Sequence, residues 1–182
     1  CYLVSFSFKE LEKSLDVTMR WRAYERRPQG SPPIPDWYLA QIKEARPKFA
    51  ARMLDEHGVV IDSGPFGVNS RPALRGAKFA EEHGKGDAYH EALFVAYWQQ
   101  AADIAETAVL AAIAEGLGLE REPFLAALED EAWETAVQAD VDQAFQFGLS
   151  GVPALVFGNK YLVSGAQPLA VLQQVADRLT TQ

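Results

Sequence analysis

Only one thiol is present in the 182 residues, Cys1, and it stands directly before a stretch with helical spacing. A thiolate at a helix N-terminus is stabilised by the helix dipole and the free N–H groups of the first turn, which favours reactivity. The competing reading is a buried structural cysteine, the common state of a single Cys. A lipid-bearing N-terminal cysteine fits less well, because a packed helix begins here where a polar tether is expected. The second feature is Gly151-Val152-Pro153 at the head of an apolar run. A proline there costs no ladder hydrogen bond only at a strand entrance or edge. Position alone leaves that bond trans, the default for X-Pro.

Other side chains carry less chemistry. His57, His83 and His90 lack the spacing of metal ligands, so solvent-facing or capping roles are expected and no metal site is assigned. Arg20 and Arg22 share one face of a predicted strand, with Arg26 and Arg27 beyond; this reads as a solvated face or a local anion site. Trp37, Trp98 and Trp133 fall in helical segments and read as core. Phe66-Gly67-Val68-Asn69 either lines a groove or leaves Asn69 as a helix cap.

The elements that must position these residues follow from periodicity. Leu3, Phe6, Leu11 and Leu15 share a helical face over 3–15. Val17, Met19, Trp21 and Ala23 alternate with polar neighbours, which predicts a strand over 16–24. From Asp36 to about Gly148 the pattern is helical nearly throughout, with Pro47 expected to kink or divide the first run. Asn69, Ser70 and Pro72 mark one helix start and Asp87 another. Trp133, Val137, Val141 and Phe145 repeat every four residues and predict a buried stripe. Ala154–Phe157, the turn pair Gly158-Asn159 and the run 160–164 read as a hairpin. Gln167-Pro168 opens a last helix whose stripe is Leu169, Leu172, Val175, Ala176 and Leu179.

Composition removes several classes. One cysteine builds neither a disulfide framework nor a Cys-based zinc site. A net charge of −8 argues against phosphate-backbone binding, hence no nucleic-acid partner. No apolar run approaches the roughly 18 residues of a membrane helix, so no membrane partner is expected. A cytoplasmic location is expected, with a periplasmic one still open.

Several motifs together resemble a known family. Cys1-Tyr2-Leu3 is similar to the end of the CPxCY motif of DsbA-family thioredoxin-fold proteins, in particular the FrnE-like branch. Gly148-Leu149-Ser150-Gly151-Val152-Pro153 resembles its G-x-x-GVP segment, and Val163-Ser164-Gly165-Ala166-Gln167-Pro168 its VSGAQP run. Asn69-Ser70-Arg71, Leu93-Phe94, Ala96-Tyr97 and Asp103-Ile104 resemble its helical-insertion motifs in order.

The resemblance implies an α/β thioredoxin-like fold with a large all-helical insertion. Residues 1–32 and 149–182 would form the core and 33–148 the insertion. It further implies thiol–disulfide exchange with a substrate protein or a small thiol, without a cofactor, and leaves room for a homodimer. By position Cys1 would be the second cysteine of the C-x-x-C pair, and Pro153 a cis-proline facing it. Val152, Gly151, Asn69 and Gln167 would contact substrate. The family's attacking cysteine would precede Cys1 by three residues. The chain is therefore expected to continue upstream by roughly ten to fifteen residues, an allowance for one strand and the motif. Kappa-class glutathione transferases and 2-hydroxychromene-2-carboxylate isomerases resemble the same scaffold, but take glutathione as cofactor and place Ser upstream. A redox-silent module holding peptides near Val152 and Pro153 is the third reading.

Overall fold

The computed structural model describes residues 1–28 and 30–180. The chain divides into two compact units: Cys1–Tyr24 with Asp142–Gln182, and Glu25–Val141.

In the first unit, α1 (Tyr2–Ser14) buries Val4, Phe8 and Leu11, spaced for one helical face. That face packs with Leu172 of α8 (Leu169–Thr180), while Leu155, Phe157 and Val163 close the core from the hairpin. The hairpin is β1 (Ala154–Phe157) with β2 (Tyr161–Ser164), antiparallel, with Ala154 opposite Ser164 and Phe157 opposite Tyr161. Gly158 and Asn159 turn it with φ of 54° and 56°, the sign that a type I′ turn requires at both central residues. The Lys160 N–H closes that turn on the Phe157 carbonyl at 2.9 Å.

Residues 17–23 depart from expectation. Their burial alternates as the sequence implies, and Val17, Met19 and Trp21 join the same core. Yet 17–25 is not a strand: among the described residues the sheet has two strands, β1 and β2. Alternation records which side chains face the core, whereas a strand is defined by its hydrogen-bonded ladder. One of its N–H groups is served by a side chain instead, Met19 donating to Glu12 Oε1 at 3.2 Å.

The second unit is helical. It holds α2 (Asp36–His57), α3 (Arg71–Glu82), α4 (Gly86–Gln99), α5 (Thr107–Gly116), α6 (Arg121–Glu129) and the larger part of α7 (Glu131–Gln146), whose last turns belong to the first unit. Its core joins Phe79 and Ala80 of α3, Tyr89 of α4, Leu110, Ala111 and Ala114 of α5, and Phe124 and Leu128 of α6. Gly76 permits the closest approach there: a Cβ on it would lie 2.6 Å from Tyr89 Oη and 2.8 Å from Phe124 Cζ.

Three helical expectations change. α2 runs unbroken through Pro47, because Pro47 and Lys43, whose carbonyl loses its in-helix donor, both lie on the exposed side. Trp37 is 64% exposed, not core, since it projects opposite Ile42, Phe49 and Met53. Phe145 is 74% exposed and Ala144 is buried in its stead. A strict four-residue repeat drifts by about 40° per step on a helix of 3.6 residues per turn, so three steps from Trp133 leave the inner face. Smaller differences lie at the ends: Asp87 sits in the first turn of α4 rather than capping it, and β2 starts at Tyr161.

Candidate active site around Cys1 and the segment 151–153

Cys1 is the N-cap of α1 and is exposed. Its carbonyl accepts the Ser5 N–H at 3.0 Å, the first bond of the helix, while its thiol makes no capping hydrogen bond. The helix holds its start firmly: Tyr2 and Val4 are buried, and the buried Ser5 hydroxyl donates to the Tyr2 carbonyl at 2.7 Å. The thiol therefore stands at the N-terminus of a helix anchored one turn further on.

Gly151, Val152 and Pro153 lead into β1 in the same unit as Cys1. The Val152–Pro153 peptide bond is cis. The Pro153 carbonyl accepts the Gly165 N–H at 2.8 Å, which carries the hairpin's pairing past Ser164 and fixes the proline from the β2 side. Upstream, α7 ends as a glycine-capped helix, with Leu149 N–H on the Ala144 carbonyl at 3.0 Å and Gly148 at φ 68°. Residues 151–153 are thus held from both sides. Gly151 itself is demanded by neither space nor backbone: a Cβ there would meet nothing within 4 Å.

Gln167 and Asn69 have local duties. Gln167 Nε2 donates to the Ser164 carbonyl at 3.0 Å, finishing the end of β2. Asn69 lies in the helical unit, where its Oδ1 accepts the Arg71 N–H at 3.0 Å in a local turn just ahead of α3, whose N-cap position is Ser70 rather than Asn69. Of the histidines, His83 ends α3 with Nδ1 2.8 Å from the Phe79 carbonyl and its ring stacked on Phe79. Among the described residues no group of three His, Cys, Asp or Glu side chains could hold a metal ion. No helix there is long and apolar enough to cross a membrane.

The sequence reading missed an ionic cluster in the helical unit. Arg71 Nη1 meets Glu25 Oε2 at 3.0 Å, and its Nε and Nη2 grip the Glu134 carboxylate. Arg75 Nε donates to the same carboxylate at 2.6 Å, and Lys78 pairs with the buried Asp140 at 2.6 Å. Hydrogen bonds from Arg71 hold the Glu134 carboxyl well below the usual range, at about 2. The available signal was a basic stripe at 71, 75 and 78, one turn apart on α3.

Comparison with known proteins adds the family. The DSBA-like thioredoxin domain matches residues 1–177. The uncharacterized protein YwbO of Bacillus subtilis (strain 168) is 28% identical over 177 residues, which is 91% of this chain and 84% of that one. A probable DsbA oxidoreductase from Streptomyces coelicolor has a similar structure, with a TM-score of 0.85 and 24% identity over 100% of this chain and 85% of its own. A 2-hydroxychromene-2-carboxylate isomerase follows with a TM-score of 0.81 and 21% identity, over 98% of this chain and 89% of its own. The fold is thioredoxin-like with a helical insertion.

Proposed function

We propose, on the premise that the chain belongs to the DSBA-like thioredoxin domain family, that it exchanges thiols and disulfides through Cys1. The observation that carries this is an exposed thiol as N-cap of a firmly packed helix, in the same unit as the 151–153 segment. The Cys1 thiolate attacks one sulfur of a substrate disulfide, forming a mixed disulfide and releasing the other sulfur as a thiolate. A second thiolate, from a small thiol such as glutathione or from the substrate, then attacks the substrate sulfur of that mixed disulfide. Cys1 leaves as the thiolate, the two outer sulfurs become joined, and the electrons balance. The backbone of Val152 is the proposed edge on which an extended substrate lies.

The test is mass spectrometry of the chain incubated with oxidised glutathione at neutral pH. One adduct on Cys1 is expected, formed faster in the folded chain than in denaturant and removed by reduced glutathione. Turnover of a glutathionylated peptide should then be lost in Cys1→Ser. A Cys1→Ser variant with full turnover would sink this reading. It would support a glutathione-dependent isomerase or transferase instead, the second reading, whose fold is shared over 98% of the chain. Absence of both turnover and adduct leaves the peptide-holding module.

A further inference from the structure

The helical unit starts at Glu25 and runs out through α7, so its two ends are far apart in sequence. They are held by the same side chain. Arg71, on the first turn of α3, reaches Glu25 with Nη1 at 3.0 Å. Its Nε donates to the Glu134 carboxylate at 3.0 and 3.1 Å, and its Nη2 to Gln138 Oε1 at 2.9 Å. Glu25 is 7% exposed and Arg71 14%, so this is not a solvated surface pair. Arg75 adds a second hold on Glu134 and ties it to the C-terminal end of α6 through the Leu128 carbonyl at 2.6 Å. One turn on, Lys78 meets Asp140 at 2.6 Å. Three cations of α3 thus face Glu134, Gln138 and Asp140 of α7 along two turns, and Glu25 closes the row.

We infer that Glu25, Arg71, Arg75 and Glu134 form an ionic clasp that shuts the helical unit across its own start and exit. The clasp, rather than apolar packing alone, keeps the first half of α7 on α3. Of the buried apolar core of this unit, α3 to α6 supply most, while α2 adds Met53 and α7 adds Val137, with Trp133 and Val141 partly buried. α7 therefore brings little buried apolar surface to this unit, and charge adds to its attachment.

Hydrogen exchange read by mass spectrometry on the full-length chain tests this, comparing the wild type with Arg71→Met. Exchange in residues 131–141 should speed up by at least about tenfold, while α4 and α5 keep their rates because their core is untouched. Glu134→Gln keeps hydrogen-bonding atoms but removes the charge, and gives an independent reading if Arg71→Met does not fold. Unchanged exchange in 131–141 would overturn the clasp. So would equal acceleration of every helix, which would mean only a general loss of stability.

Discussion

Tyr89 offers the sharpest test of the packing described for the helical unit. Its ring is fully buried against Phe124, and its hydroxyl is the buried side-chain polar atom left without a hydrogen-bond partner among the described residues. A buried hydroxyl without a partner costs about 1–3 kcal/mol. Removing it in Tyr89→Phe leaves a void of roughly 10 Å³, worth a few tenths of a kcal/mol at about 24 cal/mol per Å³. The net expectation is stabilisation by about 1 kcal/mol, or about 2–4 °C in melting temperature for a chain of this size. Burial also raises the Tyr89 ionisation above its ordinary value of 10.0, so the folded chain keeps the proton after the unfolded chain has released it. Wild-type stability must then fall as pH climbs above about 10, and the advantage of the Phe variant should widen there. Gly76→Ala works in the opposite direction. Its new Cβ would stand 2.6 Å from Oη and 2.8 Å from Phe124 Cζ, an overpacking of about 1–3 kcal/mol. The better helix propensity of Ala returns about 1 kcal/mol of this. Joining both changes relieves the hydroxyl contact but not the Phe124 one, so the pair should couple by about 0.5–1 kcal/mol. Thermal melts of the four proteins at pH 7, with the wild type and Tyr89→Phe repeated at pH 10.5, measure all of this. A Tyr89→Phe variant that melts below the wild type would refute the reasoning, since its hydroxyl would then be held by a partner.

Two further perturbations follow from the same geometry. The Arg71 hydrogen bonds lower the Glu134 ionisation to about 2 from 4.5, so its stabilising contribution is present above about 4.5 and is lost as pH falls toward 2. Melts between pH 5 and pH 2.5 should show a steeper loss for the wild type than for Glu134→Gln; parallel curves would remove the ion pair from the acid response. Gly158→Ala should destabilise by about 1–2 kcal/mol, because its φ of 54° penalises a Cβ and Leu179 Cδ2 stands 2.8 Å from where that Cβ would be. Gly151→Ala, in open space, should change denaturant stability by no more than about 0.5 kcal/mol. Any turnover it loses would then be a loss of function rather than of fold.

Much of the fold was legible because its signals are local. A turn with two positive φ values needs Gly158-Asn159, and helix starts at Asn69-Ser70 and Gln167-Pro168 rest on residues a few positions apart. What failed needed information from a distance. Alternation at 17–23 reports a buried face correctly, but whether a ladder forms depends on a neighbour that periodicity cannot supply. Phe145 misled through drift: a stripe extended from Trp133 by fours leaves the inner face within three turns, and burial follows Trp133, Val137, Asp140 and Ala144 instead. The ionic cluster joins residues 46 and 63 positions apart, so only its basic stripe on α3 could be seen in advance.

The candidate site was named by residue type and by resemblance, and the structure adds the local bonds each of its residues makes. The resemblance gives Asn69 and Gln167 a substrate contact, and each side chain also makes a local bond: one closes the turn ahead of α3, the other ends β2. Local folding accounts for why an amide stands at both positions. Capping does not explain a thiol at position 1, where Ser, Thr, Asp or Asn would cap α1 better. Nor does local folding account for Gly151, where any small side chain would fit and no positive φ requires glycine. A thiol at a helix start and an open backbone before Pro153 are what a disulfide-bearing extended chain would ask for, the first to react and the second to let its backbone approach.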